Sequence, residues 1–314
     1  MSHTPDTDPP ASAPALLPGE VPARLDEAVD WAAGVLAGAG VHFGHGADNP
    51  HTEAIILLAG ATGLSLEVLM ADAARPLAPP VRAQLAALLT ERLSSRRPAA
   101  YLVGRAWFAG LEFEVDERVL VPRSPLAEFL AAGGAPWLDP ARVRRVLDLG
   151  TGSGCLAIAA AMAFPEARVD AADLSSDALA VAAANVRRHG LETRVHLVLS
   201  DHFAALAGER YDLILSNPPY VPAARLAELP PEYGHEPAMA LVSGEDGLDS
   251  VRAILQDAVL FLRPGGILVV EVGEVEEAVA RAWPHLPLTW LEFEHGGSGV
   301  FLLEAESLPP PREP

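Results

Sequence analysis

Two stretches of this chain place reactive side chains where apolar runs stop. The first is Ser216-Asn217-Pro218-Pro219-Tyr220, which follows the apolar, β-branched run Tyr211-Asp212-Leu213-Ile214-Leu215. That run reads as a buried strand. Two consecutive prolines cannot continue it, because each lacks an N–H and fixes φ. Asn217 is therefore left at the strand's carboxyl edge, where open α/β sheets bind ligands. Its amide offers one acceptor oxygen and two donors, and Pro219 brings no N–H to compete for the Pro218 carbonyl. Together they suit a planar –NH2 group, with Tyr220 offering a ring face. Taken alone, the five residues read equally as strand-to-turn punctuation.

The second stretch is Val146-Leu147-Asp148-Leu149-Gly150-Thr151-Gly152-Ser153-Gly154-Cys155, a strand, a glycine-rich turn and a helix start. Glycines let a backbone approach a ligand closely. The dinucleotide pattern G-x-G-x-x-G is only partly met, since Cys155 holds the sixth place and the third glycine falls at Gly154. Asp173 ends the next strand, 23 residues after Gly150. A carboxylate there accepts both hydroxyls of a ribose. Loop and acid together point to an adenosine-type cofactor; the plainer reading is a tight βα turn and a helix cap. At the end of the third strand, Asp201 is placed to reach an adenine amine and His202 to cover the base, each a weak signal alone.

These residues need a sheet to hold them. From Val143 the pattern alternates strand and helix, with strands expected at 144–149, 168–173, 194–199, 211–216 and 266–272. Helices are expected at about 154–163, 175–189, 246–262 and 275–283. Alternation of this kind builds a parallel sheet covered on both faces. Leu288–Phe293 and Val300–Leu303, joined through His295-Gly296-Gly297-Ser298-Gly299, read as a closing antiparallel hairpin. Before the sheet, residues 24–104 read as a small helical domain. Its second helix opens at Asn49-Pro50, with Asn49 as cap and Pro50 at the first position. Residues 105–132 follow as a β-hairpin and a stiff linker loop carrying Pro122-Arg123-Ser124-Pro125, then 133–306 as the sheet domain. Residues 1–23 and 307–314 read as a disordered leader and tail.

Composition narrows the partners. The chain has 314 residues, half of them hydrophobic, and a formal net charge of −20. That balance disfavours gripping nucleic-acid phosphates and suits meeting a basic protein, although a solvating acidic surface is the commoner reason for it. Cys155 is the single cysteine, so neither a disulfide framework nor a cysteine zinc site is expected. His42, His45, His51 and Asp48 lie close in sequence, but their spacing matches no zinc pattern, and no metal is expected. No signal peptide or membrane-spanning run is visible, which fits a cytoplasmic protein.

With these motifs assembled, the chain resembles the class I S-adenosylmethionine-dependent methyltransferases. Asp148 to Gly154 is similar to that family's cofactor loop, Asp173 to its ribose acid, and Asn217-Pro218-Pro219-Tyr220 to the signature of enzymes that methylate planar nitrogen. The resemblance implies a doubly wound, seven-stranded α/β sheet with an antiparallel C-terminal hairpin, preceded by a small helical domain. It implies S-adenosylmethionine as cofactor, with S-adenosylhomocysteine as product. The cofactor site would be Asp148, Gly150, Thr151, Gly152, Gly154, Asp173, Asp201, His202 and Asn217. Asn217, Pro218 and Tyr220 would carry catalysis, with Pro219 and Arg123 added for substrate binding. The helical domain, hairpin and Pro122–Pro125 loop further resemble the protein glutamine methyltransferases. Gly44–Pro50, Ala106–Phe113 and Pro122–Glu128 favour the branch acting on protein uL3 of the large ribosomal subunit over the release-factor branch. A DNA or RNA adenine methyltransferase shares the Asn-Pro-Pro-Tyr device but needs a base-flipping, phosphate-holding surface. A nicotinamide-dependent dehydrogenase stays open as a rival that nicotinamide-dependent turnover would reveal, and a non-catalytic scaffold would leave Asn217–Tyr220 without a role.

Overall fold

The computed structural model describes residues 17–310, and the chain divides after Val103 into two compact units. Of the expected leader, residues 1–16 lie outside the described residues. Its remainder is held: Val21 is buried, and the Trp31 indole donates to the Pro18 carbonyl at 3.1 Å. In the expected tail, 311–314 lie outside the described residues, while Leu308 is buried.

The first unit is helical: α1 (Leu25–Gly38), α2 (Pro50–Thr62), α3 (Leu66–Ala71), α4 (Pro79–Ser95) and α5 (Ala99–Val103). The expected cap on α2 is present, with Asn49 Oδ1 accepting from the Thr52 N–H at 2.8 Å and Pro50 opening the helix. Leu36, Leu57, Leu85 and Leu89 are wholly buried between α1, α2 and α4. Arg92 of α4 is buried with them. Its Nε donates to Glu53 Oε1 at 2.6 Å and its Nη2 to the His42 carbonyl at 2.9 Å. A buried charge is tolerable only when paired in this way.

The second unit begins with a hairpin, β1 (Arg105–Phe108) and β2 (Leu111–Glu114). Ala109 and Gly110 both turn through positive φ, as the tightest hairpin turns require. Then come α6 (Leu126–Ala131), β3 (Arg145–Leu149), α7 (Cys155–Ala163), β4 (Arg168–Asp173), α8 (Ser176–Arg188), β5 (Val195–Leu199) and β6 (Tyr211–Ser216). Short 3-10 turns occupy much of 223–240, followed by α9 (Asp249–Asp257), β7 (Leu262–Glu271), α10 (Glu276–Ala282), β8 (Thr289–Trp290) and β9 (Val300–Glu304). The seven-stranded sheet has the order β5-β4-β3-β6-β7-β9-β8. β3 to β7 run parallel, and β9 lies antiparallel between β7 and β8. The sheet is thus the doubly wound one expected, with its antiparallel close.

Three elements differ in extent from the sequence reading: a helix, the strand that follows it and the first strand of the closing hairpin. The helix expected over 246–262 stops at Asp257, because Ala258–Leu260 tighten into a 3-10 turn and Leu262 already pairs with Tyr211. The strand expected over 266–272 thus starts at Leu262; the register then shifts, and Leu213 pairs with Ile267, so Arg263–Gly266 form an irregularity. The hairpin strand expected over Leu288–Phe293 shortens to Thr289–Trp290, since only these pair with β9.

The pairing also sets one level across the sheet. Ala172, Leu149, Ser216 and Val270 lie side by side at the carboxyl ends of β4, β3, β6 and β7. The next residues in those chains are Asp173, Gly150, Asn217 and Glu271. One edge therefore presents two carboxylates, a glycine and an amide on four adjacent strands.

Candidate active site

A cavity of about 340 Å³ opens along this edge. Its walls include Gly150, Thr151, Gly152, Asp173, Asp201, His202, Asn217, Pro218 and Pro219. A second cavity, of about 220 Å³, is lined by Tyr220, Tyr233, Leu229 and Glu274. Asn217, Pro218 and Arg123 line both, so the strand-ending amide and the carbonyl after it form a shared wall.

The loop side is built from its own neighbourhood. Asp148 is wholly buried behind the loop. Its Oδ2 accepts from Thr151 Oγ1 at 2.6 Å and from the Ala157 N–H at 3.0 Å. Burial pushes its carboxyl up to about 7, against the opposing pull of those two donors. Asp148 therefore does not reach the cavity; it folds the loop and anchors the start of α7. Gly154 is also off the wall. There a Cβ would come within 3.2 Å of the Ala182 Cβ, so its bareness lets the loop pack on α8. Asp173 does reach the cavity. Its Oδ2 accepts from the Gly152 N–H at 2.8 Å and its Oδ1 from the Ser175 N–H at 2.9 Å. Each oxygen keeps a second lone pair for a ligand hydroxyl. Burial raises its pKa, and these backbone donors oppose the rise.

At the end of β5, His202 adopts φ of 45°. The Ser200 hydroxyl holds that turn by donating to the His202 carbonyl at 2.7 Å. The His202 ring lies 2.7 Å from Asp201 Oδ1, so the two cavity residues are tied to each other.

The acceptor side gathers distant residues. Arg123 gives both terminal nitrogens to Glu236, at 2.6 Å each, and lies over the Tyr233 ring at 5.5 Å. Glu236 also accepts from the Val121 N–H at 3.1 Å. Burial works against the Arg123 charge, but Glu236 outweighs it and the pKa is raised. The structure thus commits Arg123 to shaping the wall between the cavities. Ser124, on the same loop, lines the larger cavity and donates to Glu271 Oε2 at 2.5 Å. Burial pushes the Glu271 carboxyl up to about 7, while Ser124 and Arg123 pull it down. Tyr220 is packed against Gly273, where a Cβ would lie 2.8 Å from two ring carbons. Burial first, and the Glu271 charge second, raise the Tyr220 hydroxyl's pKa.

Sequence reasoning missed Glu236, Ser124, Glu271, Tyr233 and Gly273. It also missed Asn185, a buried amide that accepts from the Glu114 N–H at 2.7 Å and donates to the Ser153 carbonyl at 2.9 Å, joining hairpin to glycine loop. Only Glu271 carried a readable signal: like Asp173, it is a carboxylate ending an apolar strand.

The PrmC N-terminal domain family matches residues 27–104, and the Methyltransferase small domain family matches 135–228. A solved methyltransferase from Pyrococcus furiosus aligns at 19% identity and a TM-score of 0.46, over 62% of this chain and 89% of that one. The ribosomal protein uL3 glutamine methyltransferase of Neisseria gonorrhoeae is 47% identical, over 86% of this chain and 90% of its own length. That of Bordetella pertussis is 46% identical, over 90% of this chain and 96% of its own. Identity of that order, running through both units and nearly the full length of each relative, means that the chain belongs to the ribosomal protein uL3 glutamine methyltransferase family.

Proposed function

We propose that this protein transfers a methyl group from S-adenosylmethionine to the side-chain amide nitrogen of a glutamine in ribosomal protein uL3. The observation that carries the reading is the shared wall: Asn217 and Pro218 face a cavity holding the glycine loop and Asp173, and a second one holding Tyr220. The larger cavity fits the cofactor. Its volume of about 340 Å³ lies within the usual range for ligand pockets. Its two carboxylates match ribose hydroxyls and an adenine amine, and also suit a positively charged sulfonium.

Asp173 would accept the ribose hydroxyls, with Gly150, Thr151 and Gly152 lying close along the ligand. Asp201 would accept from the adenine amine beside His202, while Asp148 and Gly154 keep the loop in shape. When bound, the cofactor supplies an electrophilic methyl and retains the bond's electrons on a neutral thioether sulfur. An amide nitrogen is a poor nucleophile because its lone pair is delocalised, so orientation is the main task left to the protein. The Asn217 oxygen and the Pro218 carbonyl would accept the two amide hydrogens. They would thereby aim the nitrogen and stabilise positive charge growing on it. Pro219 fixes the turn that follows that carbonyl, and Tyr220 packs on the flat amide. Arg123, held by Glu236, shapes the wall between the two cavities.

The net charge of −20 suits a basic substrate, speeding encounter in a salt-dependent way, and a ribosomal-protein substrate suits the cytoplasm. Among the described residues no helix is long and apolar enough to cross a membrane. The test is mass spectrometry after incubation with labelled cofactor and uL3, a release factor or DNA in parallel. One methyl on one uL3 glutamine is expected. Label in DNA or release factor and none in uL3 would overturn the reading.

A further inference from the structure

The transfer leaves a proton to be placed. As the nitrogen's lone pair forms the new N–C bond, one N–H bond must give its electrons back to nitrogen and release H⁺. We propose that the Ser124–Glu271 pair takes this proton: as the methylated nitrogen turns from planar to tetrahedral, the hydrogen held by the Pro218 carbonyl leaves it for the Ser124 oxygen, while the Ser124 O–H passes its own to Glu271 Oε2. This rests on the function proposed above. Electrons balance without a co-reactant, since a neutral methylamide and a protonated carboxyl replace a protonated methylamide and a carboxylate.

Register, contact and position support the assignment. Ser216 and Val270 are paired, so Asn217 and Glu271 leave adjacent parallel strands at the same level. Such strands lie about 4.8 Å apart. Ser124 supplies the contact with the site, because it lines the larger cavity together with Asn217 and Pro218, whereas Glu271 stands behind it. The Ser124 oxygen is already oriented: it donates to Glu271 and accepts from the Leu126 N–H at 3.1 Å, leaving one lone pair.

The charged and titratable groups around Glu271 define its behaviour. Arg123 on the Ser124 loop favours its ionised form. The Tyr220 hydroxyl, which follows β6 in the chain, is pushed up by burial first and by the Glu271 charge second. Glu236 offsets Arg123 from the far side. With its midpoint at about 7, Glu271 takes a proton during turnover and returns it to water afterwards. A base with a midpoint near the working pH is the effective kind.

The experiment measures kcat against pH with uL3 as substrate, alongside cofactor affinity by calorimetry. Carboxyl titration in the cofactor-free protein is followed in parallel by infrared difference spectroscopy. Wild type should lose kcat about tenfold per pH unit below about 7. Glu271→Gln should lower plateau kcat by roughly 10²-fold or more and abolish that acid limb, with cofactor affinity within about twofold of wild type. Its infrared titration near neutrality should lose one of two carboxyl bands, the other belonging to Asp148. Ser124→Ala should depress kcat and move the Glu271 band to higher pH, and Ser124→Thr should restore both. An unchanged acid limb in Glu271→Gln overturns the proposal, as does wild-type kcat in Ser124→Ala or equal loss of cofactor affinity in every variant. If wild type itself transfers no methyl to uL3, the proposed function falls and takes this inference with it; a failure confined to the variants removes the inference alone.

Discussion

The two cavities meet at Asn217 but are assembled over very different distances along the chain. On the glycine-loop side, Asp148 is held by residues 3 and 9 positions away, and Asp173 by residues 2 and 21 away. On the acceptor side, Arg123 reaches Glu236 across 113 positions, and Ser124 reaches Glu271 across 147. A cofactor pocket can be made by one strand–turn–helix unit and its neighbour. A pocket that presents a flat amide needs parts contributed from much of the second unit, so it is the more vulnerable to changes far from Asn217.

That contrast can be broken or sharpened in order of expected effect. Asn217→Ala removes the shared acceptor, and kcat should fall by about 10²–10³-fold, the scale of losing one charge-stabilising contact. Calorimetric affinity for the cofactor should change little; a large loss would mean that the wall serves one cavity only. Glu236→Ala strands the Arg123 guanidinium, and removing one partner of a buried pair costs about 3–5 kcal/mol. Urea unfolding should show most of that, reduced because the Arg123 side chain is 25% exposed. Asp173→Ala should weaken cofactor binding by at least roughly tenfold, as hydrogen bonds to a charged group contribute about 1.5–3 kcal/mol each. The KM for uL3 should stay unchanged.

Gly273→Ala tests the long-range side more gently. The added carbon meets the Tyr220 ring at 2.8 Å on a backbone with φ of 49°, and overpacking of this kind costs about 1–3 kcal/mol. A raised KM for uL3 with unaltered cofactor affinity is expected; the reverse would locate Tyr220 in the cofactor pocket. The smallest effect concerns Asp148. Its folded-state pKa, about 7, lies above the unfolded reference of 3.8. The native state therefore binds the extra proton between those values, and stability falls as pH rises through that window. Asp148→Asn should flatten this part of a stability-versus-pH curve, measured by thermal unfolding from acid to neutral pH. An undiminished slope would assign it to Glu271, whose reference is 4.5 and whose folded value is also about 7.

The same contrast explains what the sequence revealed. β3, β4, β5 and β6 were legible to within a residue, because apolar runs ended by glycine, aspartate or proline carry their own boundaries. The glycine loop and Asp173 were legible for the same reason: spacing along one βαβ unit is spacing in space. Asn217 was legible because two prolines mark its strand end. Glu236 was not, since it lies among 3-10 turns and its partner is 113 positions away, with no periodicity to link them. The overlong helix expected near Leu260 failed because an apolar run cannot by itself distinguish a helix end from the first residue of a buried strand.

The β9 strand has a consequence for synthesis. The Gly299 carbonyl accepts from the Val272 and Gly273 N–H groups, at 2.6 and 3.2 Å, and so secures the segment against which Tyr220 rests. The glycine loop, Asp173, Asp201 and His202 all precede residue 203, whereas this latch forms only once Gly299 has been added. A growing chain would thus hold the ribose- and adenine-facing residues of its donor pocket before it has its acceptor seat. An enzyme that works on a ribosomal protein would stay silent at the ribosome that is making it until the final strand is threaded between its neighbours.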